Sequence, residues 1–273
     1  MTDPAVPALT DALLSVDGRV ATLTLNRDDV RNALTGSALV DDIVAVVDWI
    51  NAGADVSVLV VTGAGTAFSS GGNVKDMRDG APPFGGPVEQ VARQYRHGIQ
   101  RLPLALDGLE VPAIAAVNGP AIGAGCDLAC MCDLRIAGQS AVFGETFVNL
   151  GIIPGDGGAW FLQRLIGPAA AADMTFTGRL VKADEALALG LVSRVVPDAD
   201  LVATAAAMAA EIAAKPPLTV RHTKRLMKMA QRTALPDFLA HCAAVQGMCH
   251  TSADHAEAVA AFLEKRPPTY GGR

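Results

Sequence analysis

Aromatic side chains and positive charge are both scarce in this chain of 273 residues. Only 4% of the residues are aromatic although 51% are hydrophobic, so a core must be built mainly from Ala, Val, Leu and Ile. That composition favours a closely packed α/β protein over a small β-barrel. The formal net charge of -6 argues against the basic face that general nucleic-acid binding requires. A few local Lys or Arg residues would still suffice to bind an anionic small molecule.

Metal-ligand and disulfide patterns are also missing. Three of the five cysteines fall within one predicted helix without a C-x-x-C pairing, and no two of the five histidines form H-x-x-x-H or H-E-x-x-H. We therefore predict no metal site, and free thiols in a reducing compartment. The cysteines are Cys126, Cys130, Cys132, Cys242 and Cys249.

Targeting and membrane-spanning patterns are absent as well. The first residues, MTDPAVP, lack the basic region and apolar core of a secretory signal peptide. No stretch reaches membrane-spanning length without a Gly, Pro or charged residue. We expect a cytoplasmic protein with neither a membrane nor a nucleic-acid partner.

Strand and helix patterns alternate along most of the chain. Two β-rich runs joined by Asp17-Gly18 predict a hairpin over residues 13–25, and a helical period follows over residues 35–50. The last part of the chain is helical throughout. We predict an α/β core over residues 1–197 and a helical region over residues 198–273, which packs on its own core or on a neighbouring subunit.

A strand, a glycine turn and a helix follow one another between Ala113 and Cys132. The residues Gly123-Ala124-Gly125 stand at the predicted start of the helix, where unpaired backbone N–H groups and the helix dipole favour a developing negative charge. Asp127 lies in the first turn of that helix and is a candidate for proton transfer. It is equally well explained as an acid that complements the helix dipole. The glycines lack the G-x-G-x-x-G spacing of a dinucleotide site.

Two further glycine-rich segments carry candidate groups. Gly71-Gly72 follow a strand, at the kind of edge where ligands bind in open α/β sheets, and could expose another N–H group; a plain surface loop is the alternative. Glu145 and Asp156 both lie beside glycine turns. Asp156 is also explained as a turn residue or as the N-cap of the next helix. Residues 78–87, which contain several Gly and Pro residues, predict a flexible segment that covers the site.

Taken together, four parts of the chain resemble the crotonase (enoyl-CoA hydratase/isomerase) superfamily. They occur in the family's order, extend over nearly the whole chain and are specific only as a set. They are FSSGGNVKDM at 68–77, AAVNGPAIGAGCDLA at 115–129, GIIPGDGG at 151–158 with QRL at 163–165, and AEAVAAFLEKR at 256–266.

The resemblance implies an α/β fold in which β-β-α repeats form a spiral of two stacked sheets, followed by a C-terminal helical trimerisation region. It implies a homotrimer or a dimer of trimers that binds an acyl-CoA thioester. By motif position, the backbone N–H groups of Gly72 and Ala124 would hold the thioester enolate. No metal or redox cofactor is implied, because coenzyme A enters as part of the substrate.

The same resemblance places CoA contacts at five positions. Arg31, Ala33 and Lys75 would lie near the nucleotide or pantetheine. Phe262 and Lys265 in the final helix would reach a CoA on the adjacent subunit. An exposed Lys or Arg is otherwise explained as a solvated charge, and Phe262 as a core residue.

The sequence departs from the family's two catalytic glutamates. The first position is Asp127, which is one methylene shorter, and the second is Phe147, which cannot transfer a proton. Glu145 takes over the second role if its segment is extended, because residues i and i+2 then share a face, but not if the segment is coiled or helical. Asp156 is a third candidate, since some relatives place a catalytic Asp in this turn.

We therefore expect reversible hydration of a 2-enoyl-CoA with Asp127 and Glu145 as the acid/base pair. Double-bond isomerisation is the alternative on the same fold, because it needs only one well-placed base. A third hypothesis is a crotonase-fold protein that binds CoA without turnover.

Overall fold

The computed structural model describes residues 4–272 and contains two β-sheets. The larger sheet has the strand order β1-β2-β3-β4-β6-β9 and the smaller sheet the order β5-β7-β8. The strands are β1 Ala12–Asp17, β2 Val20–Leu25, β3 Val58–Gly63, β4 Ala113–Val117, β5 Pro120–Ile122, β6 Leu134–Gly138, β7 Val142–Gly144, β8 Leu180–Lys182 and β9 Arg194–Val196. The predicted hairpin is confirmed as the antiparallel pair β1 and β2.

Helices fill the rest of the described chain. They are α1 Leu39–Asn51, α2 Val74–Asp79, α3 Val88–His97, α4 Arg101–Gly108, α5 Ala124–Met131, α6 Gly158–Thr177, α7 Ala183–Ala188, α8 Leu201–Ala213, α9 Pro217–Ala230, α10 Leu235–His250 and α11 Ala253–Glu264. Helix α6 consists of two helical segments that meet at a kink at Gly167, whose φ of 78° is not helical. None of the described helices is long and apolar enough to cross a membrane.

The predicted spiral of β-β-α repeats is present. Strand β4 leads through a short turn into β5 and then α5, and β6 leads into β7 and later α6. Each of these two repeats therefore gives one strand to the large sheet and one to the small sheet. The pairs β4–β6 and β5–β7 are parallel, so corresponding ends of successive repeats lie side by side.

The core between these layers is aliphatic, as the composition predicts. Helix α1 turns Ile43, Val46 and Ile50 inward at helical spacing, and all three are fully buried. Phe68 and Phe143 are the largest of the fully buried side chains.

The outer face of the large sheet is covered by α8. Side chains from β3, β4 and β6 pack there against one face of this helix; they are Val58, Val60, Ile114, Ala116 and Ile136, against Leu201, Ala205, Met208 and Ala209. The predicted helical region thus begins with a helix that packs on the core sheet, and the division at residue 198 stays a prediction.

The last three helices extend from this layer. Helix α9 is fixed to the sheet by Lys224, whose Nζ donates to Val111 O at 2.6 Å and pairs with the Asp133 carboxylate at 2.7 Å. Helix α10 packs on α9, and α11 on α10. The two final helices leave large apolar side chains exposed, namely Leu235, Leu239, Met248, Val259, Phe262 and Leu263.

Candidate active site

In the loop after β3, the backbone N–H group of Gly72 has no acceptor among the described residues. Its neighbours are all occupied: Ser70 N donates to Arg31 O at 2.9 Å, Gly71 N to Ser69 Oγ at 3.1 Å and Asn73 N to Thr35 Oγ1 at 2.8 Å. A further hydrogen bond sets the direction of the Gly72 N–H group. Leu34 N donates to Gly71 O at 2.7 Å, and a trans peptide points its C=O and N–H to opposite sides, so the Gly72 N–H points away from Leu34.

The second candidate donor is the Ala124 N–H at the start of α5. Gly123 turns the chain with a φ of 53°, and α5 begins at the next residue. The first N–H of a helix has no acceptor within the helix. Gly71 brings the two donors together: a Cβ on that residue would lie only 2.8 Å from Ala124 N, so only glycine allows this approach.

A cavity of about 90 Å³ is lined by both Gly72 and Ala124. Most of its other lining is apolar and includes Phe84, Ile99, Ile122, Phe147 and Leu150. Among the described residues, Asp156 is the one carboxyl that reaches the lining, and Tyr95 supplies a phenol. Pro83 and Phe84 come from the segment predicted to cover the site, whereas Tyr95 was not predicted, because nothing in the α3 pattern singles it out.

Three buried carboxyl groups meet behind the cavity wall. Asp127 and Glu145 are 0% exposed and Asp156 is 4% exposed. The Asp127 carboxyl is close enough to both others for each of them to raise its pKa. Its Oδ2 also accepts from Gly158 N at 3.1 Å, at the start of α6. Asp127 lies in the first turn of α5, as predicted, but its carboxyl accepts from the first turn of α6. The alternative of Asp156 as the N-cap of α6 is wrong, because Gly157 is the N-cap residue.

The cluster is short of hydrogen-bond donors. Asp127 Oδ1, both Glu145 oxygens and Asp156 Oδ1 are buried and have no donor among the described protein groups. Ionised carboxylates only accept hydrogen bonds, so these oxygens would gain donors only if the three groups shared protons.

Burial and mutual repulsion favour such proton sharing. Burial is the main reason why the pKa of Asp127 lies well above its usual range, and the nearby Asp156 and Glu145 raise it further. Burial also raises the pKa of Glu145 and that of Asp156, while hydrogen bonding to Asp127 opposes both shifts. Burial and the charge of Asp156 raise the pKa of Tyr95.

Glu145 does not line the cavity, so its predicted role in place of the glutamate missing at position 147 stays a prediction. The extended conformation on which that role depends is absent, because β7 ends at Gly144 and a 3₁₀ helix begins at Thr146. Glu145 therefore turns into the cluster, while the Phe147 ring lines the cavity.

The five predicted CoA contacts lie in two places. Ala33 is buried and forms an isolated parallel bridge with Gly71, and Arg31 is exposed on the same loop. Lys75 is exposed in the first turn of α2. Phe262 is 83% exposed, so its alternative as a core residue is wrong. Neither it nor Lys265 lines the cavity of this subunit, and CoA contact stays a prediction at all five positions.

Known proteins are similar to this chain in sequence and in fold. A sequence model of the enoyl-CoA hydratase/isomerase family matches residues 16–273. The short-chain-enoyl-CoA hydratase of Clostridium acetobutylicum is 36% identical over 263 residues, which cover 94% of this chain and 96% of that protein. The crotonyl-CoA hydratase of Syntrophomonas wolfei is 34% identical, with 96% and 98% covered.

Solved structures of similar proteins have the same fold as this chain. The enoyl-CoA hydratase from Bacillus anthracis superimposes with a TM-score of 0.87 at 35% identity, covering 97% of this chain and 100% of that one. A putative enoyl-CoA hydratase from Streptomyces coelicolor gives 0.91 at 31% identity, with 99% and 97% covered. The fold, the glycine loops and these similarities together show that the chain is an enzyme of the enoyl-CoA hydratase/isomerase family, the crotonase superfamily.

Proposed function

We propose that this enzyme adds water reversibly across the C2–C3 double bond of a 2-enoyl-CoA. The observation that carries the proposal is the pair of free N–H groups, on Gly72 and Ala124, which line one cavity together with the Asp156 carboxyl. Two donors fixed at one point suit a thioester oxygen that gains negative charge, and a carboxyl beside it suits proton transfer. The hydratase names of the relatives support the same reaction.

In this proposal Asp156 handles the protons that reach the substrate. Its carboxylate removes a proton from water as the water oxygen bonds to C3, and the C2–C3 electron pair moves into an enolate. The Gly72 and Ala124 N–H groups stabilise the enolate oxygen. The carboxylic acid then returns a proton to C2, the thioester carbonyl re-forms, and one water has been added.

Asp127 and Glu145, which we predicted as the acid/base pair, do not line the cavity. We propose instead that they hold protons and exchange them with Asp156, and that Asp127 is the group in contact with Asp156. Because burial raises all three pKa values, the cluster holds protons more tightly than exposed carboxyl groups do, which suits a group that must both take up and return a proton.

Isomerisation is the second candidate, and one observation favours it. Only one carboxyl lines the cavity, and the apolar ring of Phe147 occupies the wall where hydratases carry their second glutamate. A single base suffices to take a proton from C4 or C2 and return it to the other carbon. A protein that binds CoA without turnover is the remaining alternative.

Mass spectrometry separates these possibilities. A panel of 2-enoyl- and 3-enoyl-CoA substrates is incubated with the enzyme in heavy water, with Asp156→Asn as the control. A product heavier by one heavy-water molecule supports hydration. Carbon-bound deuterium without added water supports isomerisation, and binding of CoA without any mass change supports the non-catalytic alternative.

The proposal also covers where the CoA portion binds, how the subunits assemble and where in the cell the enzyme works. The cavity is too small for a whole acyl-CoA, so the CoA portion extends over the surface near Arg31 and Lys75. The exposed apolar side chains of α10 and α11 are suited to contact with neighbouring copies in a homotrimer or a dimer of trimers. We also propose that no metal or redox cofactor takes part and that the enzyme works in the cytoplasm, in a route that consumes enoyl-CoA such as β-oxidation.

A further inference from the structure

We propose that the buried Ser69 hydroxyl is a positioning residue for both oxyanion donors. The inference rests on the proposed function, because it concerns how the Gly72 and Ala124 N–H groups are held. Ser69 does not line the cavity and is fully buried, so it acts only through the backbone.

The hydroxyl joins two loops by using both of its hydrogen-bonding capacities. Ser69 Oγ donates to Asn32 O at 2.7 Å and accepts from Gly71 N at 3.1 Å. The second bond occupies the N–H just before the Gly72 donor and fixes the peptide plane between Ser70 and Gly71. The next plane is fixed by Leu34, so the Gly72 N–H is aimed by two successive constraints.

The Ser69 backbone holds the other donor segment. Ser69 N donates to Pro120 O at 3.1 Å, and Ile122 N donates to Ser69 O at 3.0 Å. A Cβ on Gly125 would lie 2.1 Å from Ser69 O, so the start of α5 rests directly against this residue. One residue therefore sets the spacing between the two N–H groups.

The acceptor of the Ser69 hydroxyl is itself rigid. Asn32 is fully buried, and its side chain accepts from Arg27 N at 2.8 Å and donates to Ala64 O at 3.0 Å and Ala67 O at 2.9 Å. Its φ of 55° is the left-handed conformation that Asn tolerates better than most residues. The Ser69 hydroxyl is therefore bonded to an acceptor whose own position is fixed, and it holds the Gly71 N–H in a fixed place relative to that acceptor.

Ser69→Ala removes the link and leaves the Gly71 N–H and one Asn32 C=O interaction unsatisfied in the interior. The peptide plane between Ser70 and Gly71 is then free to rotate, and the Gly72 N–H no longer points in a fixed direction. Loss of a whole oxyanion donor lowers kcat by a factor of about 10²–10³. We therefore expect a donor that is present but misoriented to lower kcat by a factor of about 10–10². KM should change by less than about threefold, since ground-state binding depends weakly on this geometry.

The test compares an enolate with a ground-state ligand. Acetoacetyl-CoA reports through the near-ultraviolet absorbance of its bound enolate, and butyryl-CoA is titrated by calorimetry. Ser69→Ala should lower the affinity for the enolate at least tenfold and leave that for butyryl-CoA within about threefold. Ser69→Cys keeps a weak donor and acceptor and should recover part of the enolate signal. Thr62→Val is the matched control, because Thr62 Oγ1 donates to Ala116 O at 2.9 Å outside the cavity lining.

Two results would overturn the inference. An unchanged kcat and enolate affinity in Ser69→Ala would show that the hydroxyl does not aim the donor. Equal losses for both ligands would show a structural role only, and the Ser69→Cys variant answers the same question if Ser69→Ala does not fold. Failure of the wild-type enzyme to bind any acyl-CoA would refute the proposed function itself, which separates the two outcomes.

Discussion

The contact between Gly158 and Asp127 allows a direct test of whether the acidic cluster is catalytic or only structural. A Cβ added at Gly158 would lie 2.2 Å from Asp127 Oδ1 and 2.7 Å from Cγ. An ordinary contact needs at least 3.4 Å, so in Gly158→Ala the carboxyl has to move by about 1 Å. A catalytic group misplaced by about 1 Å costs about 10² in rate, and we expect kcat/KM to fall by that factor.

The stability change should be much smaller than the rate change. The lost Gly158 N–H bond to a charged or shared carboxyl costs about 1–3 kcal/mol, and replacing glycine in a helix returns up to about 1 kcal/mol. We therefore expect Tm to fall by only a few degrees in thermal unfolding. Gly108→Ala at the end of α4 is the matched control, because its Cβ meets nothing within 4 Å.

The comparison of rate and stability decides the role of Asp127. A Gly158→Ala enzyme with a lower Tm but a rate within about threefold of wild type would mean that Asp127 only caps α6. In that case our assignment of the cluster to proton transfer would be wrong. A loss in rate that exceeds the loss in stability, with Gly108→Ala unchanged in rate, supports the assignment.

Three further predictions follow from the same site and surface. Asp156→Asn should lower kcat by about 10²–10⁴ without lowering Tm, and steady-state kinetics within a few-fold of wild type would contradict the role of Asp156. Glu145→Gln should raise Tm increasingly as the pH rises through the window between the unfolded-state pKa of Glu145 and its raised folded-state pKa. The raised pKa of Glu145 means that the folded state binds more protons than the unfolded state, so wild-type stability falls as pH rises through that window; a Tm difference independent of pH would disprove this reasoning. Phe262→Asp should dissociate the oligomer in sedimentation experiments, whereas a monomeric wild-type enzyme would refute the proposed assembly.

The sequence predicted those features that depend on local pattern. The strand, glycine turn and helix around Gly123 are confirmed, with Asp127 in the first helical turn, because spacing and turn chemistry specify them. The hairpin at Asp17-Gly18 is confirmed for the same reason. The resemblance supplied the spiral and the family, which four short motifs in order were sufficient to indicate.

The arrangement of the acids could not be predicted in this way. The position of Glu145 depended on whether the chain was extended or helical there, and the 3₁₀ turn that starts at Thr146 is set by tertiary packing. The place of Gly158 against Asp127 joins residues 31 positions apart. The Ser69 link between two loops is likewise formed only by the assembled spiral, since nothing in the local sequence distinguishes Ser69 from Ser70.

The packing of α8 on the large sheet has a consequence for synthesis of the protein. The strands that it covers are complete by Gly138, yet α8 begins only at Leu201, so the ribosome delivers the outer sheet face long before its cover. During that interval Val58, Val60 and Ile114 face water in the nascent chain, where an uncovered apolar sheet is prone to aggregate. We therefore expect the nascent chain to be most prone to aggregate until α8 emerges and covers the sheet.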